Sequence, residues 1–266
     1  MSTPTAKAPE RPKPRVDPRA LPPDRAALSS QARWVLAGCT VVTLALYLTP
    51  SLQVLAWPLV FLSTMVHEMG HGVAALFVGT WHSLHMFSDA SGYAMCSKPE
   101  GVASAFVSAG GLCGPAVAAA LFLVLGLRPR LARWCLGLTG GFFALTLVLW
   151  TRGVFGWVAI AIVAATCLAI ALRASAEVAQ IALVFLATQL ALSVYSRGDY
   201  LFTKEGIGQM SDGKLIASDT QRMAEALGGT YWLWGLVCAA FSAAVLAGAA
   251  WLYFRPRRAA AARALS

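Results

Sequence analysis

Charged residues are scarce in this chain. Asp, Glu, Lys and Arg make up 12% of its 266 residues, where a soluble domain carries about 25%. With 58% apolar residues and a mean hydropathy of +0.65, that shortage excludes an ordinary water-soluble globule. CxxC pairs are lacking too. The six cysteines, at positions 39, 96, 113, 135, 167 and 238, lie mostly in apolar runs and read as small buried residues. A Cys96–Cys113 disulfide is conceivable and has no support in the pattern. No convincing internal repeat occurs, which argues against a transporter with paired broken helices.

A basic surface of the kind that binds nucleic acid is also missing. The net charge of +9 comes from the two ends of the chain. Met1 to Arg33 holds seven Lys/Arg against three acidic residues, and Arg255, Arg257, Arg258 and Arg263 stand near the other end. Basic flanks of this kind mark a cytoplasmic side in contact with anionic lipid. The expected division is a disordered basic cytoplasmic tail over 1–30, one membrane-embedded bundle over 31–255 and a second basic cytoplasmic tail over 256–266. The first tail is too long and too Pro-rich to read as a cleaved signal peptide.

What the chain has in abundance is long apolar runs, the signature of a polytopic helical membrane protein. Candidate spans are Trp34–Thr49, Ala56–Val78, Gly101–Leu127, Trp134–Trp150, Val154–Leu172, Ile181–Tyr195 and Tyr231–Phe254. Basic residues at both ends require an even number of crossings, and these runs number seven. The expected fold is therefore all-α, with six or seven transmembrane helices. Between the second and third runs, Trp81–Phe87 and Ser91–Cys96 alternate in character and predict a small β-ribbon or re-entrant segment. A polar island, Arg197 to Gly229, precedes the last run and holds a short predicted helix, Thr220–Leu227.

Inside the second run, Gln53 to Thr80 contains no ionisable residue except His67, Glu68 and His71. Ionisable groups in hydrocarbon are costly and are kept mainly where they face a bundle interior or a cavity. Histidines four apart share one helix face. His-Glu-x-x-His supplies two imidazoles for zinc and a carboxylate to take a proton from water. Gly70 and Gly72 permit close approach of a neighbouring helix. Gly110, Gly111, Gly114 and Pro115 do the same in the third run, where Pro115 also frees a carbonyl. A catalytic zinc, one per chain, needs a third protein ligand. His82 and His85 have suitable chemistry and read more naturally as ribbon residues. Asp89 reads as a turn residue ahead of Gly92. Asp199, Asp212 and Asp219 remain as the aspartates of the polar island, and Asp219 is also placed to cap the helix after it.

Four segments together resemble the membrane-embedded zinc metallopeptidases of the M50 (site-2-protease-like) family, closest to its M50B-like branch. They are His67-Glu68-Met69-Gly70-His71-Gly72, Phe87 to Tyr93, Gly110 to Pro115 and Ser218-Asp219-Thr220-Gln221. The resemblance implies an intramembrane endopeptidase with His67 and His71 as zinc ligands and Glu68 as general base. It implies a membrane-protein or membrane-tethered peptide as substrate, with the ribbon presenting it as an added strand. The wider family's third ligand lies in a Leu-Asp-Gly motif, which this chain lacks. Asp199 looks like the aspartate at the end of the equivalent span in the M50B-like branch, and Asp219 matches a second aspartate position there. Asp199 is preferred and Asp219 is the alternative. The expected location is the bacterial inner membrane with the N-terminus cytoplasmic; oligomeric state is not readable. The competing function is a non-catalytic membrane scaffold or assembly factor on the same fold, with a structural or vestigial metal site.

Overall fold

A computed structural model describes residues 23–49, 52–196, 201–209 and 215–254. The helices are α1 (Pro23–Leu48), α2 (Gln53–Val78), α3 (Val102–Leu125), α4 (Pro129–Leu149), α5 (Val154–Arg173), α6 (Ala176–Ser196), α7 (Asp219–Leu227) and α8 (Tyr231–Phe254). The strands are β1 (Thr80–Met86), β2 (Gly92–Ser97), β3 (Thr151–Arg152), β4 (Glu205–Gln209) and β5 (Leu215–Ala217). The architecture is all-α, with a small sheet beside the motif helix.

Among the described residues, six helices are long and apolar enough to cross a membrane: most of α2 and α6, and all of α3, α4, α5 and α8. The first predicted span falls in α1, whose apolar part runs only from Trp34 to Leu46. α1 is nevertheless bonded into the bundle, since the Gln189 amide of α6 donates to the Thr43 hydroxyl. The basic segment 128–133 between the third and fourth apolar runs is mostly helix, because Pro129 opens α4 directly after Arg128. Arg133 then reaches α5 and donates from Nε to the Ala171 carbonyl at 2.6 Å, satisfying one of the last carbonyls of that helix. All six cysteines are free.

α2 and α3 cross at glycine. A Cβ on Gly70 would meet the backbone carbonyl of Gly110, and one on Gly110 would meet Ala74. At Gly70 and Gly110 the small-residue pattern does what it predicts, letting two backbones touch where a side chain would hold them apart; Gly72 instead makes room for the Trp81 ring of the ribbon, not for a helix.

The predicted ribbon is present, and it folds back along α2. Its strands β1 and β2 are antiparallel, with an irregularity between Trp81 and Ser83. At the tip Ala90 takes a left-handed φ of 64°, and Asp89 Oδ1 accepts from the Ser91 N–H at 2.9 Å. The Trp57 indole, at the other end of α2, donates to the Ser88 carbonyl at 3.0 Å. The ribbon therefore runs most of the length of the motif helix. A third strand was not expected. Thr151-Arg152, between the fourth and fifth apolar runs, forms β3 and pairs parallel to β1, giving the order β2-β1-β3. Trp150 fixes that junction: its ring stacks on Trp81 at 4.2 Å, and its indole donates to the Trp81 carbonyl at 2.9 Å.

Candidate active site

One turn of α2 carries His67, Glu68 and His71. The imidazole Nε2 atoms of His67 and His71 lie 3.1 Å apart. Each is 3.2 Å from Oδ2 of Asp219, brought in by the first residue of α7. A tetrahedral zinc ion with legs of about 2.0–2.1 Å has donor-to-donor edges of about 3.3 Å. The three atoms match one face of such a tetrahedron, and the fourth corner is left to a non-protein ligand. Two imidazoles and a carboxylate are also a catalytic rather than a structural zinc set. Among the described residues this is the one cluster of three or more His, Cys, Asp or Glu placed to share an ion.

Two of the three donors, His71 and Asp219, are held from behind. Nδ1 of His71 lies 2.8 Å from the Val107 carbonyl oxygen of α3. A hydrogen on Nδ1 donates there and leaves the Nε2 lone pair facing the cluster, the outer-shell arrangement that orients metal-binding histidines. The same ring lies against Gly111, where a Cβ would collide with it. Asp219 is set by Ser218, which caps α7: its hydroxyl accepts from the Gln221 N–H at 3.1 Å and donates to the Thr203 carbonyl at 2.6 Å. The helix cap expected of Asp219 is thus supplied by its neighbour, and the carboxylate turns inward. Asp219 is 5% exposed. Burial alone would raise its pKa, but the imidazoles of His71 and His67 hold the carboxyl well below the usual range.

Glu68 is buried, and its Oε2 accepts from the Ala94 backbone N–H of β2 at 2.9 Å. It stands beside the histidines on the same turn, on the side of the ribbon. A cavity of about 30 Å³ adjoins His67, lined by the apolar Leu112, Pro115, Val194 and Leu201 and by the hydroxyl-bearing Ser63, Ser193 and Ser242. A cavity of that size with hydroxyls in its wall has room for roughly two water molecules.

The other candidates fall elsewhere. His82 pairs through Nε2 with the Ser97 hydroxyl at 2.6 Å, and His85 stacks on Tyr93 at 4.6 Å between centroids. Both are ribbon residues outside the cluster, as is Asp89 at the tip. Asp199, the preferred third ligand, and Asp212 lie outside the described residues; the acid that meets both imidazoles is the alternative, Asp219. Sequence reasoning missed Val107, Ala94 and the cavity serines, and it named Ser218 only within the Ser218–Gln221 segment, giving the cap to Asp219. Of the missed residues, Ser63 alone had a readable signal, standing one helical turn before His67.

The sequence model of the family described as Peptidase M50B-like matches residues 36–249. No curated protein and no solved structure matches the chain.

Proposed function

The chain belongs to the M50B-like peptidase family, and from that premise we propose that it is an intramembrane zinc-dependent endopeptidase acting on a membrane-protein or membrane-tethered chain. The observation that carries this reading is the triangle of His67 Nε2, His71 Nε2 and Asp219 Oδ2, with 3.1–3.2 Å sides and Glu68 on the same turn. His67, His71 and Asp219 would hold the metal. Zinc, when bound, polarises a peptide carbonyl and makes water a stronger acid at neutral pH.

The chain's own groups supply the rest. Glu68 accepts the proton of the attacking water and then delivers it to the leaving amine. Its burial beside the ribbon keeps that carboxylate from bulk solvent. The Val107 carbonyl keeps the His71 ring turned with Nε2 inward, and the cavity beside His67 gives water a place at the centre. β2 is an edge strand whose outer side faces Glu68. A substrate segment adding there would lie extended, its scissile carbonyl unwound from any helix.

As an integral membrane protein with six helices, among the described residues, long and apolar enough to cross a membrane, the chain would reach its substrate within or beside the bilayer. We place it in a bacterial inner membrane with the N-terminal tail cytoplasmic and its basic residues on anionic lipid.

The test is metal content with cleavage. Purified wild type should carry about one zinc per chain, lost in H67A and D219N. A membrane-inserted reporter should be cut by wild type and not by E68Q, which should keep its zinc. Wild type free of zinc after chelator-free purification sinks the reading. Full zinc with cleavage unchanged in E68Q sinks the role of Glu68. Full zinc with no cleavage of any membrane reporter favours the scaffold alternative.

A further inference from the structure

The Ala94 N–H points away from the rest of its sheet. Backbone groups of an antiparallel strand face its neighbour at alternate residues. Phe87 donates to the Ser91 carbonyl across the hairpin, which fixes the phase. Leu84, opposite Ala94, sends its own N–H to the Trp150 carbonyl on the far side of β1. Ala94 and Gly92 therefore present their N–H groups on the outer edge of β2. That edge is where an extended peptide would add, and Ala94 is at its middle.

Glu68 already occupies this position, with Oε2 at 2.9 Å from the Ala94 nitrogen. One N–H makes one well-aligned hydrogen bond. A carboxylate and the carbonyl of an added strand cannot both have it. An uncovered strand edge is also a general pairing hazard, and a charged side chain laid across it blunts that hazard. The same carboxylate thus closes the edge when no peptide is there.

We propose that the Ala94 N–H is a binding site for the substrate main chain that Glu68 holds closed at rest. An arriving extended peptide gives its carbonyl oxygen to Ala94, and Glu68 Oε2 is displaced toward the metal centre. Strand addition and delivery of the base then become one event, and a chain that fails to pair with β2 leaves Glu68 tied to the ribbon. The use of the displaced carboxylate as a base rests on the peptidase reading. The contest for the N–H does not.

The test uses full-length protein in lipid nanodiscs, with zinc measured on the same samples. The probe is an end-blocked, fluorescently tagged Val-Thr-Val-Thr-Val peptide. In E68A the Ala94 amide should exchange its hydrogen about tenfold faster than in wild type, as expected when a charge-assisted bond is lost. The probe should bind E68A about threefold or more tighter, since its competitor is gone. A94P should bind the probe about threefold or more weaker while A94G binds as wild type does, because proline removes the N–H yet suits an outward-facing edge position. Ala94 exchange that is the same in wild type and E68A overturns the proposal. Probe affinity that is unchanged or weaker in E68A overturns it too. If the exchange and affinity shifts appear in protein that holds no zinc and cuts nothing, the peptidase reading fails and the contest for Ala94 stands.

Discussion

The imidazole of His71 rests on Gly111, and a methyl group on Gly111 would occupy the space of the ring's Cε1, Nε2 and Nδ1 atoms. The glycine is therefore part of how the metal-facing histidine is held. G111A should keep its helix and lose grip on the ring. Zinc affinity is expected to fall about 10–100-fold, the scale seen when outer-shell support is removed. Competition with a chromophoric chelator measures it, and circular dichroism should show unchanged helix content.

Gly70 poses a harder constraint, because its missing Cβ faces backbone rather than a movable side chain. G70A must push α2 and α3 apart and should destabilise by about 1–3 kcal/mol, as overpacking does. Gly114 is the internal control: its Cβ would meet the Gly70 Cα at 3.4 Å, an ordinary contact. Unfolding in mixed detergent should rank wild type and G114A together, with G70A below them.

For the third ligand, the expected result is asymmetric. D219N, which keeps the shape of the side chain and removes its charge, should carry well under one zinc per chain. D199N should match wild type. Elemental analysis of the two variants decides it, and the reverse pattern would assign the role to Asp199.

Ser218 offers a graded version of the same experiment. Its hydroxyl caps α7 and ties that helix to the Thr203 carbonyl. S218A should cost about 1 kcal/mol for the cap and loosen Asp219 without removing it. Zinc should still bind, several-fold more weakly, with dissociation measured by chelator challenge.

The sequence announced the parts of this site that lie close together along the chain. His67, Glu68 and His71 share one helical turn, so their relation is set by 3.6-residue periodicity and needs no tertiary information. The glycines at 70, 110 and 111 announced close helix contact for a similar reason, since small residues have few other uses in the middle of an apolar helix. The ribbon was visible in its alternation. What could not be read was every relation between distant segments made by backbone groups. Val107 and Ala94 act through a carbonyl and an N–H that any residue type would carry, so their side chains hold no trace of the role. The pairing of Thr151-Arg152 with β1 is hidden likewise, because a two-residue strand has no period. Asp219 sat between two signals: the Ser-Asp-Thr run reads equally as a helix start, and only the observed bond from Gln221 to Ser218 separates the capping residue from the inward-facing acid.

The stacked pair Trp81 and Trp150, with the short parallel strand beside it, leaves the sheet lopsided. One flank is joined to the turn between α4 and α5, and the other looks across at Glu68. In the strand-addition proposal, a newcomer that takes the β2 edge therefore berths beside the carboxylate from the outset. The apolar helices that carry no reactive side chain would then set the distance between mooring and base.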